Sequence, residues 1–325
     1  MIAIEHIITL QGIKGIGPVA LGKICDRINR MNSSSMDLGQ LYDLVEGMVR
    51  AREVTRVPMP EYQDFEKAYG SARHILALND RLGIGVVSRY DEAFPKNLLH
   101  TVSEDGKPAV PVLLYYKGDL SITGKPALAV IGTREPTPDG VQAGHYYAEA
   151  FASICVNIIS GLALGCDTAG HRGALDAGGV TTAFLAHGLD TIFPAENKSL
   201  AMEIVDNGGL LMSEYPVGVN ANRYNLIARD RLQAGLADAT LVVQTAVKGG
   251  TMHAVRATKA AGKPLLVVNY RNNQGEKAAG NALLEQEGAM GFRAKADEIM
   301  AKADDYIRLI RPGNRTEDEQ GYRLL

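Results

Sequence analysis

The hydrophobic pattern changes along the chain from helical spacing to short apolar runs. In residues 1–80, apolar side chains recur every three or four positions, first from Leu38 to Val49 and again from Phe65 to Leu76. This spacing predicts amphipathic helices. The cluster Ser33–Ser35 precedes the first of them and is expected to provide its N-cap. We therefore expect residues 1–80 to form a small all-α N-terminal domain.

A different pattern begins at Ala127, where short β-rich runs alternate with stretches of helical periodicity. The runs predicted to be strands are Leu128–Ile131, Val156–Ile159, Thr182–Leu185, Leu210–Ser213, Thr240–Val243 and Leu265–Val268. Continuous apolar runs are typical of a parallel sheet that is covered by helices on both faces. The predicted fold class is α/β, with an extended Rossmann-like, doubly wound, mostly parallel sheet over residues 127–312.

The segments on either side of this α/β region have their own patterns. Residues 81–126 contain two shorter apolar runs, Ile84–Val87 and Val112–Tyr116, and are expected to be a connecting segment that joins the sheet. Residues 271–280 are polar and are predicted to be a surface loop. A last helix is expected over about 294–310, and residues 313–325 are expected to be a polar tail.

The N-terminal residues Leu10–Ile24, LQGIKGIGPVALGKI, match a helix-hairpin-helix, also described as SAM-like. The segment Gly15–Pro18 would form the hairpin between the two helices. Exposed amides of such a hairpin are suited to hold one phosphate of a nucleic-acid backbone. In proteins of several domains, however, such a motif more often serves only packing than DNA binding.

Composition and charge narrow the functional classes. The chain has 325 residues, with 34 Lys and Arg against 37 Asp and Glu, and a net charge of −3. It therefore lacks the basic field of a typical non-specific DNA-binding protein, and any nucleic-acid site must be a local patch. No apolar run is long enough for a membrane span, and Cys25, Cys155 and Cys166 lie far apart without metal-ligand spacing. We expect a cytoplasmic protein with no metal and no cofactor.

Three predicted turns at the carboxyl edge of the sheet carry the chemistry expected of a phosphate site. Gly132–Arg134 follows the first strand, Ser160–Asp167 the second and Lys248–Thr251 the fifth. The first turn is not G-x-G-x-x-G, which argues against a nicotinamide dinucleotide site. The turns instead combine glycines for close backbone approach, hydroxyls and cations, which favours a phosphate-bearing ligand.

The densest basic patch, Arg223–Arg231, precedes the fifth strand and contains three arginines. Tyr224 within it is a candidate for stacking on a base, while the acidic Asp230 opposes the positive charge of the arginines.

The motifs taken together resemble the DNA-processing protein A family (DprA, also called Smf). Ala129–Arg134 (AVIGTR), Ile159–Leu175 (ISGLALGCDTAGHRGAL) and Ser213–Pro216 (SEYP) match family motifs in the right order. Arg229–Arg231 (RDR) stands where the family has Arg-Asn-Arg, and Lys248–Ala254 (KGGTMHA) departs from the family's turn. Many members append a winged helix, and only about 30 residues follow the last matching segment, so we expect a divergent member without one.

The resemblance implies a protein that binds single-stranded DNA, forms homodimers and loads a RecA-type recombinase on incoming DNA during natural transformation. It implies no catalytic residues. Together with the turns, it assigns DNA or phosphate binding to Gly132, Thr133, Arg134, Ser160, Gly161, Lys198, Arg229, Arg231, Lys248, Gly249, Gly250 and Thr251.

Two other functions are compatible with the same motifs. One is a nucleotide-sensing Rossmann-like module of a bacterial defence system, in which the N-terminal helices would close the pocket. The other is a nucleotide phosphoribohydrolase, whose P-G-G-x-G-T-x-x-E turn is only partly matched by Lys248–Val255, which lacks the glutamate.

Overall fold

The computed structural model describes residues 2–31, 36–270 and 275–311, and these contain helices and strands in the predicted succession. The α-helices are α1 (Ile4–Gly12), α2 (Pro18–Arg30), α3 (Leu38–Arg50), α4 (Tyr62–Leu82), α5 (Pro138–Ser153), α6 (Cys166–Asp176), α7 (Lys198–Asp206), α8 (Arg223–Leu236), α9 (Thr251–Ala260), α10 (Ala279–Gln286), α11 (Ala296–Ala301) and α12 (Ala303–Ile310). The strands are β1 (Gly85–Ser88), β2 (Leu113–Gly118), β3 (Ala127–Ile131), β4 (Asn157–Ser160), β5 (Thr181–Leu185), β6 (Leu210–Ser213), β7 (Ala239–Val242), β8 (Leu265–Val268) and β9 (Met290–Phe292).

The strands found in the described residues form one sheet in the order β1-β2-β6-β5-β4-β3-β7-β8-β9. The pairings of β1 with β2 and of β2 with β6 are antiparallel, and all the others are parallel. The chain runs from β3 outward to β6, returns to the other side of β3 and continues outward to β9. The predicted fold class, a doubly wound and mostly parallel sheet preceded by helices, is confirmed.

Strand β3 shows why the apolar runs form a doubly covered sheet. Ala127, Ala129 and Ile131 face a cluster that includes Leu232 of α8, whereas Leu128 and Val130 face the opposite cluster. Alternate side chains of one strand point to opposite faces. An apolar residue at every position therefore buries both faces of the sheet, one under α8, α9 and α10 and the other under α5 and α6.

The N-terminal helices pack together and against the antiparallel side of the sheet. The hairpin between α1 and α2 is present, with Gly15 at φ +89° and Pro18 in the first turn of α2. The predicted Ser33–Ser35 cap lies outside the described residues, and the N-cap of α3 is Asp37, which forms a capping box with Gln40. The apolar sides of these helices share a core with Leu113, Tyr115 and Leu211 of the sheet.

The structure differs from the predicted elements mainly at its C-terminal end. Each of the six predicted strands is present, with its ends shifted by at most one residue, but β9 was not predicted. The expected single helix over 294–310 is two helices, α11 and α12. Of the predicted loop at 271–280, residues 271–274 lie outside the described part, and 275–278 form a 3-10 turn that leads into α10.

Other expectations about the chain's organisation stay predictions. The domain limits at residues 80 and 126 are not tested by the structure, and the tail at 313–325 lies outside its described residues. Within the described ranges, no helix combines the length and apolarity that crossing a bilayer requires.

Candidate functional site

A cavity of about 730 Å³ lies where the strand order reverses, at the carboxyl ends of β3 and β7. In open parallel sheets this switch point is the usual place for a ligand, because the two turns diverge and leave a crevice. Four segments line the cavity: the end of β3 with the turn after it (Ile131–Glu135), the turn after β7 with the start of α9 (Thr245–Ala254), the turn after β4 with the start of α6 (Ala163 and Asp167) and one side of α8 (Arg223–Gln233).

Three exposed cations line this cavity: Arg134 from the β3 turn, Arg223 from the first turn of α8 and Lys248 from the β7 turn. None of the three has a hydrogen bond or an ion pair with another residue in the described part of the chain. Their charges are therefore available to a ligand. Three cations that converge from separate elements form a local positive patch on a chain whose net charge is negative.

The start of α9 adds an open approach to this patch. A Cβ built on Gly249 or Gly250 would meet no atom within 4 Å, and neither glycine has a positive φ. Packing and conformation therefore do not require glycine at these positions, and the absence of side chains exposes the backbone before Thr251. Amides at the N-terminus of a helix favour an anion. The predicted turn Lys248–Thr251 lies in the cavity as expected.

Gly132 and Thr133 line the cavity, but close packing and hydrogen bonds within the protein already occupy their backbone. A Cβ on Gly132 would lie 2.5 Å from Cys166 Sγ, so glycine allows β3 to pack against the start of α6. The amide of Thr133 donates to the carbonyl of Gln244 (2.8 Å), and its hydroxyl accepts from the amide of Glu135 (3.2 Å). These bonds fix the turn that presents Arg134.

Ser160 and Gly161, also predicted to bind phosphate, lie beneath the cavity and not on its lining. Ser160 is buried and its hydroxyl donates to the carbonyl of Val130 (2.7 Å). A Cβ on Gly161 would overlap Nη1 of Arg229. The physical reason for glycine at this position is therefore the close approach of a buried guanidinium.

Arg229 lines the cavity but is only 4% exposed. Its Nη1 donates to the carbonyl of Phe184 (3.1 Å), and its Nε lies 3.4 Å from Asp230 Oδ1. Below it, Asp167 accepts hydrogen bonds from the amides of Gly161 (3.1 Å) and Ala163 (3.3 Å). Burial raises the pKa of Asp167, and the positive charge of Arg229 acts in the opposite direction. Arg229 thus forms the buried floor of the cavity.

The structure does not bring Arg231 and Lys198 to the cavity. Arg231 donates to both carboxylate oxygens of Glu214 (2.7 and 2.6 Å) and to the carbonyl of Ala109 (3.1 Å), so its guanidinium is already occupied. Lys198 is an exposed residue at the start of α7 and is not part of the lining. The expected basic track through these two residues is not continuous with the cavity.

The titratable residues that line the cavity but were not predicted as site residues are Glu135, Asp167, Arg223, Asp230 and His253. The side chain of Asp230 is 18% exposed and has no hydrogen bond to another described residue. Burial raises its pKa to about 6, although Arg229 acts to lower it. His253 of α9 donates from Nδ1 to the carboxylate of Glu104 (2.5 Å). Asp230 and His253 stand at positions where two motifs of this chain differ from the family pattern. Those differences are the feature of the sequence that could have identified them.

Two other titratable residues of the motifs, Cys166 and His171, are buried away from the cavity lining. Burial raises the pKa of the Cys166 thiol to about 12, which disfavours the nucleophilic thiolate. His171 is buried, hydrogen-bonded through Nδ1 to Thr181 (2.7 Å), and burial lowers its pKa to about 3. The described residues contain no cluster of three or more His, Cys, Asp or Glu side chains that could hold a metal ion.

Comparison with known sequences points to one family. The model of a family described as DNA recombination-mediator protein A matches residues 85–304. Protein Smf of Escherichia coli (strain K12) is 34% identical over 177 residues, which cover 54% of this chain and 46% of that protein. The chain spans about half the length of the curated relatives that it matches.

Solved structures share the fold. DNA processing protein A (DprA) from Streptococcus pneumoniae superposes with a TM-score of 0.74 at 24% identity, over 93% of this chain and 99% of that one. DNA processing protein A from Helicobacter pylori, whose structure was described for its single-stranded DNA binding mode, has a TM-score of 0.58 at 30% identity. That likeness covers 68% of this chain and 96% of the Helicobacter chain.

Proposed function

Because the chain belongs to the DNA recombination-mediator protein A family, we propose that it binds single-stranded DNA at the cavity between β3 and β7. In this proposal it acts as a recombination mediator that loads a RecA-type recombinase on incoming DNA, as in natural transformation. It works as a homodimer and without catalysing a reaction of its own. The fold, the family and the likeness to a structure described for single-stranded DNA binding support the proposal.

The observation that carries the proposal is the group of three unpaired cations around one cavity. Arg134 presents a planar guanidinium that can donate two parallel hydrogen bonds to a phosphate. Arg223 and Lys248 add charge on two other sides. Gly249 and Gly250 let a DNA backbone approach the start of α9 closely. Consecutive phosphates of an extended strand would contact these groups in turn.

The position of the N-terminal helices favours DNA over a small sensed nucleotide. In the nucleotide-sensing alternative, the N-terminal helices would close the pocket over the bound nucleotide. In the described residues, no side chain of α1–α4 lines the cavity. These helices pack instead on the antiparallel side of the sheet. The cavity is thus left accessible to a polymer.

The N-terminal hairpin and the two predicted residues outside the cavity have weaker support. The helix-hairpin-helix is formed, but it lies away from the cavity, and a DNA contact through it stays a prediction. For Arg231 and Lys198, their positions give no support to a direct role in the same site.

The test is fluorescence anisotropy of a labelled single-stranded oligonucleotide with wild type, Arg134→Ala and Arg81→Ala. We expect Arg134→Ala to weaken binding by about tenfold or more, because a bidentate charge-assisted phosphate contact contributes on the order of 1.5–3 kcal/mol. Arg81 is exposed at the end of α4, so its variant is a control for the loss of one positive charge. Equal affinities for the three proteins would contradict the proposed site.

The mediator role is tested separately, with a RecA-type recombinase and an oligonucleotide covered by single-strand-binding protein. Wild type should accelerate the onset of DNA-dependent ATP hydrolysis by the recombinase, and Arg134→Ala should not. DNA binding without such acceleration would restrict the function to DNA binding alone.

A further inference from the structure

The Asp230 carboxylate lies on the lining of a cavity whose exposed charged residues are the cations Arg134, Arg223 and Lys248 and the anion Glu135. Asp230 lies in the middle of α8. Its neighbours in the sequence are Arg229, which is buried, and Arg231, which is paired with Glu214. Its electrostatic neighbours across the cavity are Arg134 from the β3 turn and His253 from α9, and Asp167 of α6 lies behind it. Charged or titratable side chains from the β3 turn, α9 and α6 therefore surround the partly exposed carboxylate of Asp230.

The existing partners of Asp230 leave its oxygens available. Arg229 Nε is 3.4 Å from Oδ1, which is longer than a good hydrogen bond, and the guanidinium is otherwise occupied by the Phe184 carbonyl. No other described residue donates a hydrogen bond to this carboxylate. An ionised carboxylate only accepts hydrogen bonds. A ligand that fits the cavity must therefore bring donors to this position or leave the carboxylate unsatisfied.

We infer that Asp230 determines which base the cavity accepts, by taking hydrogen bonds from the exocyclic amino group of cytosine, adenine or guanine and by disfavouring thymine and uracil. This inference rests on the proposed single-stranded DNA function and adds a specificity to it. Arg134, Arg223 and Lys248 would hold the phosphates, and the carboxylate of Asp230 lies on the lining of the same cavity.

The chemistry of the bases gives the direction of the preference. Carboxylates accept from the N4 amino group of cytosine, and single-stranded bases are commonly recognised by hydrogen bonds at their exposed edges. Uracil and thymine place a carbonyl oxygen where cytosine has its amino group, so that position repels a carboxylate. Uracil and thymine can donate only from N3, next to that carbonyl oxygen, so an anionic group that faces position 4 weakens their binding relative to that of cytosine.

The test compares (dC)12 with (dU)12, since the two bases differ at position 4 and have the same ring size. Binding is measured at pH 7.5, where the carboxyl group of Asp230, whose pKa is raised to about 6, is ionised. Wild type should bind (dC)12 about fivefold or more tightly than (dU)12, which is within the range for one good base contact. In Asp230→Asn this ratio should fall to within about twofold of unity.

Asp230→Asn should also bind (dU)12 more tightly than wild type does, because a repulsive charge is removed from the cavity. An unfolded variant would not show this gain. Asp230→Glu keeps an acceptor and should retain a preference for (dC)12. Asp43→Asn, on the exposed side of α3, makes the same charge change away from the cavity and should keep the wild-type ratio.

The outcomes separate the two proposals. Tight binding of both oligonucleotides by wild type with no preference would overturn the role of Asp230 and leave the DNA-binding function standing. A preference that persists in Asp230→Asn, or weaker (dU)12 binding by that variant, would also overturn it. If wild type bound neither oligonucleotide, the proposed function and this inference would both be wrong.

Discussion

At the scale of single residues, Asp230 combines an expected role in binding with a cost to folding. Its pKa is raised to about 6 from an ordinary value of 3.8, because burial disfavours the ionised form. The folded protein therefore binds more protons than the unfolded chain between these two values. Ionised Asp230 destabilises the folded state, and this cost is fully present above pH 6 and diminishes as the pH falls toward 3.8.

Asp230→Asn should consequently stabilise the protein near neutral pH. A shift of this size corresponds to at most about 3 kcal/mol, so we expect the free energy of unfolding at pH 7.5 to rise by about 1–3 kcal/mol. Urea denaturation at pH 7.5 and pH 4.5 measures it, and the gain should be much smaller at the lower pH. Asp43→Asn serves as the control. A destabilised Asp230→Asn would mean that the carboxylate contributes more through Arg229 than burial costs.

The sequence predicted three of the cations that line the cavity, Arg134, Arg229 and Lys248, but it did not predict Arg223 as a site residue, and Lys198 and Arg231 lie outside the lining. Arg134 and Lys248 follow strands whose carboxyl ends share one edge of the sheet, so the topology places them together. Arg229 and Arg231 stand two positions apart on α8 and therefore point to different sides of the helix. Their partners, Phe184 and Glu214, come from distant positions in the chain. Only the packed structure reveals that both guanidiniums are already engaged.

At the scale of elements, the contact between β4 and α8 sets the floor of the cavity. Gly161 ends the strand where the guanidinium of Arg229 crosses it, and no side chain fits between them. Gly249, at the start of α9, faces open space. The two glycines therefore look alike in the sequence, since each lies in a turn after a strand, but they have different physical functions.

Replacing each of these glycines by alanine tests the difference. Gly161→Ala should displace Arg229 from the Phe184 carbonyl and lower the free energy of unfolding by about 3 kcal/mol, since overpacking and disruption of a buried charge act together. Gly249→Ala should change stability by no more than about 0.5 kcal/mol. Thermal and urea denaturation of the two variants provide the measurement. Comparable stabilities would show that Arg229 can move at little cost.

The elements that the sequence failed to predict are short or interrupted. β9 has three residues, of which Met290 and Gly291 are exposed, so it lacks the continuous apolar run that identified the other parallel strands. The predicted helix over 294–310 is divided at Lys302, whose backbone has φ −121° and ψ 40°. In contrast, β3 to β8 bury nearly every side chain, and the same feature made them predictable.

At the scale of the whole molecule, a net charge of −3 means that the proposed DNA binding has to rely on a local positive patch, for which the cavity supplies the cations. Long-range attraction is weak for such a protein, and binding depends on the few phosphates that contact cations directly. Among the residues that the structure describes, the lining cations without a hydrogen-bond or ion-pair partner are Arg134, Arg223 and Lys248. A strand that crosses the cavity would therefore neutralise about three phosphates, a number that salt dependence can measure.

The logarithm of the association constant should fall with the logarithm of salt concentration with a slope of about −2, because single strands contribute about −0.7 for each phosphate contact. Lys248→Ala should make the slope less steep by about 0.7. Lys67→Ala, which removes an exposed charge from α4, should leave the slope unchanged. Anisotropy titrations from low to high salt give the three slopes. An equal slope for Lys248→Ala and wild type would mean that Lys248 makes no phosphate contact, which would contradict a path of the DNA backbone past all three cations.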